Sequence, residues 1–254
     1  MGKMPTLFVG HGSPMNAIED NEYTQKWKEI GATIPRPEAI LVISAHWTTE
    51  GVSVSDSLHP RTVYDMFGFP KALYEVVYQP SGSPEHAHMA AALLKNVRID
   101  NSWGIDHGSW SVLRWMFPDA DVPVFQVSLD GNASRQTHFE MGQALKPLRE
   151  RKVLIIGSGN IVHNLSRVNW DMDGGYPWAD EFDNYIKDRI ENRQFNDVID
   201  YASAGPSALA AFRTTEHYDP LLYVLGASDA GDQLTIVNDS CTKGSISMTS
   251  YLYE

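Results

Sequence analysis

The stretch "VLIIGSGNIVHNL", residues 153–165, decides the fold, because its apolar start predicts a buried strand that leads through two glycines to His163. A near-continuous apolar run of this kind is typical of a parallel strand that is covered on both faces. Two further stretches share the pattern: "TLFVGHGSP" places His11, and "AILVISAHW" places His46, at the end of an apolar run. The repetition predicts a sheet that carries histidines beyond the carboxyl ends of its strands.

Apolar, β-rich runs alternate with helical patterns along the whole chain. We predict strands at 5–10, 38–45, 51–55, 122–128, 153–157, 233–238 and 245–252. We predict helices near 20–30, 84–95, 109–116, 134–150, 178–192 and 219–226. Strands separated by helices favour βαβ units. With no linker or repeat in the sequence, we expect residues 1–254 to form a single α/β domain, with a mostly parallel central sheet flanked by helices.

Composition excludes several classes of function. The formal charge of −12, without clustered Lys and Arg, argues against a nucleic-acid partner. No apolar run approaches the ~20 residues of a membrane span, and no secretion signal is evident at the N-terminus. Cys241 is the only cysteine, which excludes an internal disulfide and cysteine-ligated zinc or iron–sulfur sites. We expect a cytoplasmic monomer or small homo-oligomer.

The histidines carry the chemical signal. Ligands of open α/β sheets bind in the crevice beyond the carboxyl ends of the strands, where His11, His46 and His163 are expected to meet. Imidazole is a common ligand of zinc and iron, so this convergence indicates a metal site. His107 in "WGIDHGSW" and His217 in "TTEHYDP" are further candidates. The alternative is that each histidine only forms hydrogen bonds within its loop.

Other motifs are weak. "GSGNIV" is similar to a dinucleotide fingerprint, but Val162 occupies the place of the third glycine. We expect Gly157 and Gly159 instead to let the backbone turn tightly before His163. GxSxG, HExxH and P-loop motifs are absent from the sequence. Structural or surface roles are expected for the remaining histidines, which are His59, His86, His88 and His138.

Several long motifs resemble one family over nearly the whole chain. They include "GHGSPMNAIEDN", "ISAHW", "TVYDMFGFPKALYEVVYQPSGSP", "WGIDHGSWSVLRWMFPDADVPVFQVSLD", "GSGNIVHNL" and "EHYDPLLYVLGA". The chain resembles the extradiol ring-cleavage dioxygenases that include 4,5-DOPA dioxygenases and are related to the catalytic subunit of protocatechuate 4,5-dioxygenase. The resemblance implies that O2 is inserted into the ring of a catechol at a metal centre.

The resemblance also implies roles for single residues. His11 and His46 match two metal ligands, and His217 falls where a third is expected. Glu216 precedes His217 and is the alternative third ligand, because many related enzymes use two histidines and a carboxylate. His163 matches a catalytic base, and the resemblance implies coordination of the metal in the absence of substrate as its second role. A second catalytic position, that of a pocket histidine, is matched by His107.

The metal and the substrate follow from the resemblance. Fe(II) is expected for activity, and Zn(II) is expected to be found on purification, because affinity rises from Fe²⁺ toward Zn²⁺. The expected partners are a small catechol and O2, and the aromatic residues that could wall the substrate pocket are Trp47, Phe67, Trp110 and Tyr218. Two other functions for the same histidines stay open: a zinc-dependent hydrolase and a chelatase-like metal-binding protein.

Overall fold

The computed structural model describes residues 2–94 and 96–254, and residues 153–159 form an interior strand of its central sheet. The strands are β1 (Thr6–Gly10), β2 (Ala39–Ser44), β3 (Thr48–Thr49), β4 (Ser53–Val54), β5 (Arg98–Ile99), β6 (Val124–Gln126), β7 (Leu129–Asp130), β8 (Val153–Gly159), β9 (Leu234–Val237), β10 (Cys241–Thr242), β11 (Ile246–Ser247) and β12 (Ser250–Tyr253). The α-helices are α1 (Glu22–Thr33), α2 (Lys71–Tyr74), α3 (Pro84–Leu94), α4 (His107–Met116), α5 (Arg135–Leu145), α6 (Pro177–Glu191), α7 (Phe195–Ile199), α8 (Pro206–Ala211) and α9 (Asp219–Ala227).

Six strands form the central sheet, in the order β6-β2-β8-β1-β12-β9. The first four of these run parallel, whereas β12 is antiparallel to both of its neighbours. The predicted α/β fold with a mostly parallel sheet is therefore confirmed. Strand β8 lies between β2 and β1, so the carboxyl ends of the three strands that precede His11, His46 and His163 are adjacent.

Both faces of the central strands are covered, which explains why β2 and β8 begin as continuous apolar runs. Leu154 and Ile156 of β8 pack in the cluster that contains side chains of α1 and α4. Val153 and Ile155 point the other way, into a cluster with residues of α3, α5 and α9. Successive strand residues point to opposite faces, so burial of both faces requires a continuous apolar run. A third cluster joins α6, α8 and α9 to β1 through Phe8.

The glycines of β8 do not make the predicted turn, because the strand continues through Gly157 to Gly159. Each of them instead allows another segment to approach closely. A Cβ on Gly157 would overlap the carbonyl of Pro220, and a Cβ on Gly159 would overlap that of His217. The two glycines therefore let the start of α9 lie directly against the strand.

Several predicted helices and strands begin or end at other residues in the structure. Helix α5 ends at Leu145, and the chain continues as a 3-10 helix over Lys146–Arg151, because Pro147 has no N–H to donate. The predicted strand 245–252 is two short strands that pair with different partners, β11 with β10 and β12 with β1 and β9. The short helices α2, α7 and α8 are not predicted by the sequence pattern.

In the described ranges, no helix has both the length and the apolar character that crossing a membrane would take.

A buried carboxyl group fixes α6 to the end of the chain. Both oxygens of Asp183 accept short hydrogen bonds, from Ser247 Oγ at 2.6 Å and from Thr249 Oγ1 at 2.6 Å. Burial outweighs these bonds and raises the pKa of Asp183 to about 6. The unfolded chain, with an ordinary pKa near 3.8 for this group, releases the proton more readily than the folded chain does.

Stability is therefore expected to fall as the pH rises from about 4 to about 6, because over that range folding requires Asp183 to take up a proton that the unfolded chain has already released. The Asp183→Asn variant has no carboxyl group that can titrate at this position. Between pH 4 and pH 7, it should gain about 2–3 kcal/mol in free energy of unfolding relative to the wild type. Denaturant unfolding at several pH values measures the difference. Glu181→Gln on the exposed face of α6 is the control, and an equal pH trend for both variants would contradict the assignment.

Candidate metal centre

The carboxyl end of β8 holds three histidine-bearing segments by backbone hydrogen bonds. The N–H of His11 donates to the Gly159 carbonyl at 3.0 Å, and the N–H of Ala45, next to His46, donates to that of Ser158 at 3.0 Å. In the opposite sense, the N–H of Asn160 donates to the carbonyl of His217 at 2.8 Å. Three segments that are distant in sequence are thereby fixed around one strand end.

The side chains of His11, His46 and His217 form a nearly equilateral triangle. Their ring centroids are 5.2 Å (His11–His46), 5.3 Å (His11–His217) and 5.0 Å (His46–His217) apart. The Nε2 atoms of His11 and His46 are 3.3 Å apart. Two nitrogens bound to one tetrahedral ion at about 2.0–2.1 Å would be about 3.3–3.4 Å apart. One ligand atom from each ring lies within 4.8 Å of the other two, so the three imidazoles fit a single metal ion.

His217 supplies a further observation in favour of a metal. Its Nε2 atom is buried and has no hydrogen-bond partner in the described part of the protein, whereas its Nδ1 lies 3.3 Å from Glu216 Oε1. A buried nitrogen without a partner is costly unless it binds something else. Glu216 is more exposed, and it groups with His163 and His217 rather than with His11 and His46.

Hydrogen bonds outside the triangle fix the tautomers of two rings. Ser158 Oγ donates to the carbonyl of Gly108 at 2.6 Å and lies 3.0 Å from His11 Nδ1. Since the single hydroxyl proton is used on Gly108, Ser158 accepts from His11 Nδ1–H. Asp65 holds His46 in the same way, with its Oδ2 at 3.1 Å from Nδ1. In both rings Nε2 is left as the acceptor, which is the form that binds a metal.

Asp65 also forms hydrogen bonds with His107, so one carboxylate contacts two of the predicted site residues, His46 and His107. Its Oδ1 accepts from both the backbone N–H of His107 at 3.0 Å and the ring Nδ1 at 2.9 Å. His107 is the first residue of α4, whose N-terminus is capped by Asp106. The rings of His46 and His107 are 4.0 Å apart between centroids, so His107 stands beside the triangle without belonging to it.

The electrostatics of the cluster differ between its histidines, and they favour the neutral form of His11 and His217. Burial and the neighbouring histidines hold the pKa values of His11 and His217 well below the ordinary value. Burial likewise opposes protonation of His46, but the hydrogen bond with Asp65 and the charge of Asp106 outweigh it and raise the pKa. At Asp65 itself, the bonds with His107 and His46 overcome burial and hold the pKa well below its usual range.

His163 lies against the triangle rather than in it. Its ring stacks on that of His217 with 3.5 Å between centroids and an angle of 8°. Its backbone is held by the carbonyl of Ala211 at 2.9 Å and pairs with Ile246. Burial lowers the pKa of His163 to about 4, so the ring is neutral near pH 7.

Comparisons with known proteins agree with this geometry. Residues 5–252 match the family model described as the catalytic LigB subunit of aromatic ring-opening dioxygenase. The chain belongs to this family. It is 44% identical over 255 residues to "4,5-DOPA dioxygenase extradiol" of Escherichia coli K12, covering 98% of this chain and 94% of that protein. A protein of the same name from Beta vulgaris is 37% identical over 257 residues, covering 98% of this chain and 96% of the relative.

A solved structure agrees as well. The crystal structure of an uncharacterized protein from Escherichia coli K12 superposes with a TM-score of 0.85 at 41% identity, covering 99% of this chain and 100% of that one. Membership of the LigB family makes the chain a metal-dependent, extradiol ring-cleaving dioxygenase. The alternatives of a zinc-dependent hydrolase and a chelatase-like protein are thereby set aside.

The aromatic residues predicted for the dioxygenase pocket lie in different places. Phe67 is 91% exposed and lines a cavity of about 770 Å³. Trp110 is buried in α4 and donates its indole N–H to the carbonyl of Val63 at 2.9 Å. Tyr218 is buried among aromatic side chains below the cluster, and its hydroxyl donates to the carbonyl of Val198 at 2.7 Å. Trp47 is also buried. Trp47, Trp110 and Tyr218 are thus buried in the core of this LigB-family enzyme, and none of them lines the cavity that Phe67 lines.

Sequence reasoning missed Asp65 and Ser158, the two residues that orient the rings. Both lie inside motifs that carry the family resemblance, "TVYDMFG" and "GSGNIVHNL". A buried aspartate has no chemical signature in sequence until its partner is known. The four histidines expected to be structural do lie outside the cluster: for example, His138 is buried against the hydroxyl of Tyr223, and His88 pairs with Asp56.

The Asp65→Asn variant tests the orienting role. An amide in place of the carboxylate can accept from only one of the two Nδ1–H groups, so His46 and His107 lose their common support. We expect metal affinity to fall by about 10–100-fold, as measured by competition with a chromogenic chelator. Asp56→Asn, which removes the same charge near His88, is the control and should keep wild-type affinity. Equal affinity of the Asp65 variant and the wild type would show that the rings are held by packing alone.

Proposed function

We propose that this enzyme opens the ring of a catechol amino acid such as L-DOPA by extradiol cleavage, and that residues 1–254 act as one catalytic domain. The observation that carries the proposal is the triangle of three imidazoles with a buried, unpartnered His217 Nε2. Four relatives that are 31–44% identical to this chain are named 4,5-DOPA dioxygenases, and these names support L-DOPA as the substrate. The yellow semialdehyde formed from a DOPA-like catechol would then cyclise without the enzyme.

The proposed ligands are His11, His46 and His217, and the proposed metal is Fe(II). His217 is preferred to Glu216 because His217 is the residue that groups with the other two imidazoles. The three imidazoles would hold Fe(II), which would supply the redox chemistry that O2 requires. Neutral imidazoles also bind Zn(II) tightly, and we propose that the zinc form is inactive because zinc has no redox chemistry.

His163 is the proposed catalytic base. Its ring is buried against His217 and neutral near pH 7, so a ring nitrogen can accept the proton that a catechol hydroxyl releases on binding. The backbone of His163 pairs with Ile246, which lines the cavity of about 770 Å³. This position allows proton transfer without making His163 one of the three ligands.

His107 is proposed to contact the substrate or the attacking oxygen. Asp65 takes its Nδ1–H, and burial lowers the pKa of the ring, so Nε2 is free as an acceptor beside His46. The proton-accepting groups at the site are therefore fixed in place by hydrogen bonds made before substrate arrives, which reduces the reorganisation needed during reaction.

Anaerobic loading with Fe(II) tests the proposal. The iron-loaded protein, mixed with L-DOPA and then with air, should consume one O2 for each catechol and form a yellow product. The zinc-loaded protein is the control and should consume no oxygen. Full iron occupancy without oxygen uptake on L-DOPA, dopamine or 4-methylcatechol would refute the proposed catechol chemistry.

The His163→Ala variant tests the base separately from the ligands. We expect it to keep its metal and to bind catechol, but to lose about 10²–10⁴-fold in turnover, the range typical of general acid–base catalysis. Elemental analysis and single-turnover kinetics of the iron-loaded variant give the two readouts. Near-normal ring cleavage would exclude the base role, and loss of the metal would make His163 a ligand instead.

A further inference from the structure

A cavity of about 770 Å³ has a volume in the range of small-molecule sites. Three of its lining residues are tied to the cluster. Ser13 is two residues beyond His11, Phe67 is two residues beyond Asp65, and Ile246 is paired with His163. A catechol whose ring lies at the cluster would therefore extend its side chain into this cavity.

Four charged side chains line the cavity: Glu19, Glu22, Asp173 and Lys243. In the described ranges, none of the four forms an ion pair with another side chain, although ion pairs are frequent elsewhere on the surface. The cavity thus presents three unpaired carboxylates and one unpaired ammonium group. Charges of both signs, left unpaired in one cavity, suit a ligand that itself carries both signs.

Backbone hydrogen bonds join the segment that contains Lys243 to the segment that precedes Asp173. Lys243 has a left-handed backbone with φ of 53°. Its N–H donates to the carbonyl of Met172 at 3.0 Å, and its own carbonyl accepts from Asn169 at 2.9 Å. Asp173 directly follows Met172, so the positions of Lys243 and Asp173 are fixed relative to each other at the backbone. An α-amino acid likewise carries its ammonium and carboxylate groups on one carbon.

We propose that Lys243 binds the carboxylate of a catechol amino acid and that Asp173, with Glu19 and Glu22, binds its ammonium group. The inference rests on the proposed function, because it places the catechol ring at the histidine cluster. A charged donor and a carboxylate form hydrogen bonds about twice as strong as neutral ones. The excess of carboxylates favours amine-bearing catechols, and a catechol with a carboxylate but no amine is repelled.

Four catechols with different side chains separate the two charges. L-DOPA carries both charges, dopamine only the ammonium, 3-(3,4-dihydroxyphenyl)propanoate only the carboxylate, and 4-methylcatechol neither. The kcat/KM for ring cleavage is measured with the iron-loaded full-length protein, and the Kd for L-DOPA is measured by calorimetry on the zinc-loaded protein. The wild type should prefer L-DOPA and dopamine to the propanoate.

The Lys243→Met variant keeps most of the length of the side chain and removes its charge. For L-DOPA and the propanoate, kcat/KM should fall about tenfold, with KM rising more than kcat falls, and the Kd for L-DOPA should rise by a similar factor. Dopamine and 4-methylcatechol should be cleaved as by the wild type, which also shows that the variant is folded. Lys28→Met on the exposed face of α1 is the matched control and should change none of these values.

The Asp173→Asn variant should lower kcat/KM several-fold for L-DOPA and dopamine and leave 4-methylcatechol unchanged. Asp171→Asn, in the same loop but outside the cavity lining, is its control. The inference is overturned if the ratio of L-DOPA to 4-methylcatechol activity in Lys243→Met stays within twofold of the wild type, or if the wild type cleaves 4-methylcatechol but not L-DOPA. A wild type that cleaves none of the four refutes the proposed function itself, which is a different result.

Discussion

The hydrogen bonds at the carboxyl end of β8 are the constraint on which the rest of the site depends. The last two strand residues accept the N–H groups of Ala45 and His11, and the next residue, Asn160, donates to the carbonyl of His217. Backbone bonds of this kind are buried and do not depend on side-chain rotamers. They bring the segments at residues 11, 45 and 217 to one point. The missing Cβ of Gly159 is part of the same constraint, because it leaves space for the His217 carbonyl.

Side chains outside the triangle determine which nitrogen of each clustered ring is free to bind a metal. Three histidines close together would repel each other if protonated, and burial alone would disfavour their charged forms. Ser158 and Asp65 add direction, because each accepts an Nδ1–H and leaves Nε2 of the ring as the acceptor. Asp65 serves two rings at once, so the positions of a metal-facing histidine and of His107 are coupled. An aspartate that does not face the metal is thus expected to affect both metal affinity and turnover.

The central strands and the lining of the cavity differ in the types of residue that they contain. The central strands β2 and β8 begin as continuous apolar runs because helices cover both faces, whereas the cavity of about 770 Å³ is lined by unpaired charges from α1 and its preceding loop and from the segments near Asp173 and Lys243. In the proposed function, the residues that perform ring cleavage lie at the strand ends, and those that select the side chain of the substrate lie in these other segments.

The sequence by itself determined the α/β class, the positions of the central strands and the identity of the clustered histidines, since apolar runs and their terminal residues are local features. It also carried the family resemblance in long motifs. Only the tertiary structure decided that His217 rather than Glu216 joins His11 and His46, and that Trp110 and Tyr218 belong to the core. It alone showed that Gly157 and Gly159 stay extended and that Asp65 holds two rings. The physical reason is that close approach, tautomer and burial depend on segments far apart in the chain, which no local pattern records.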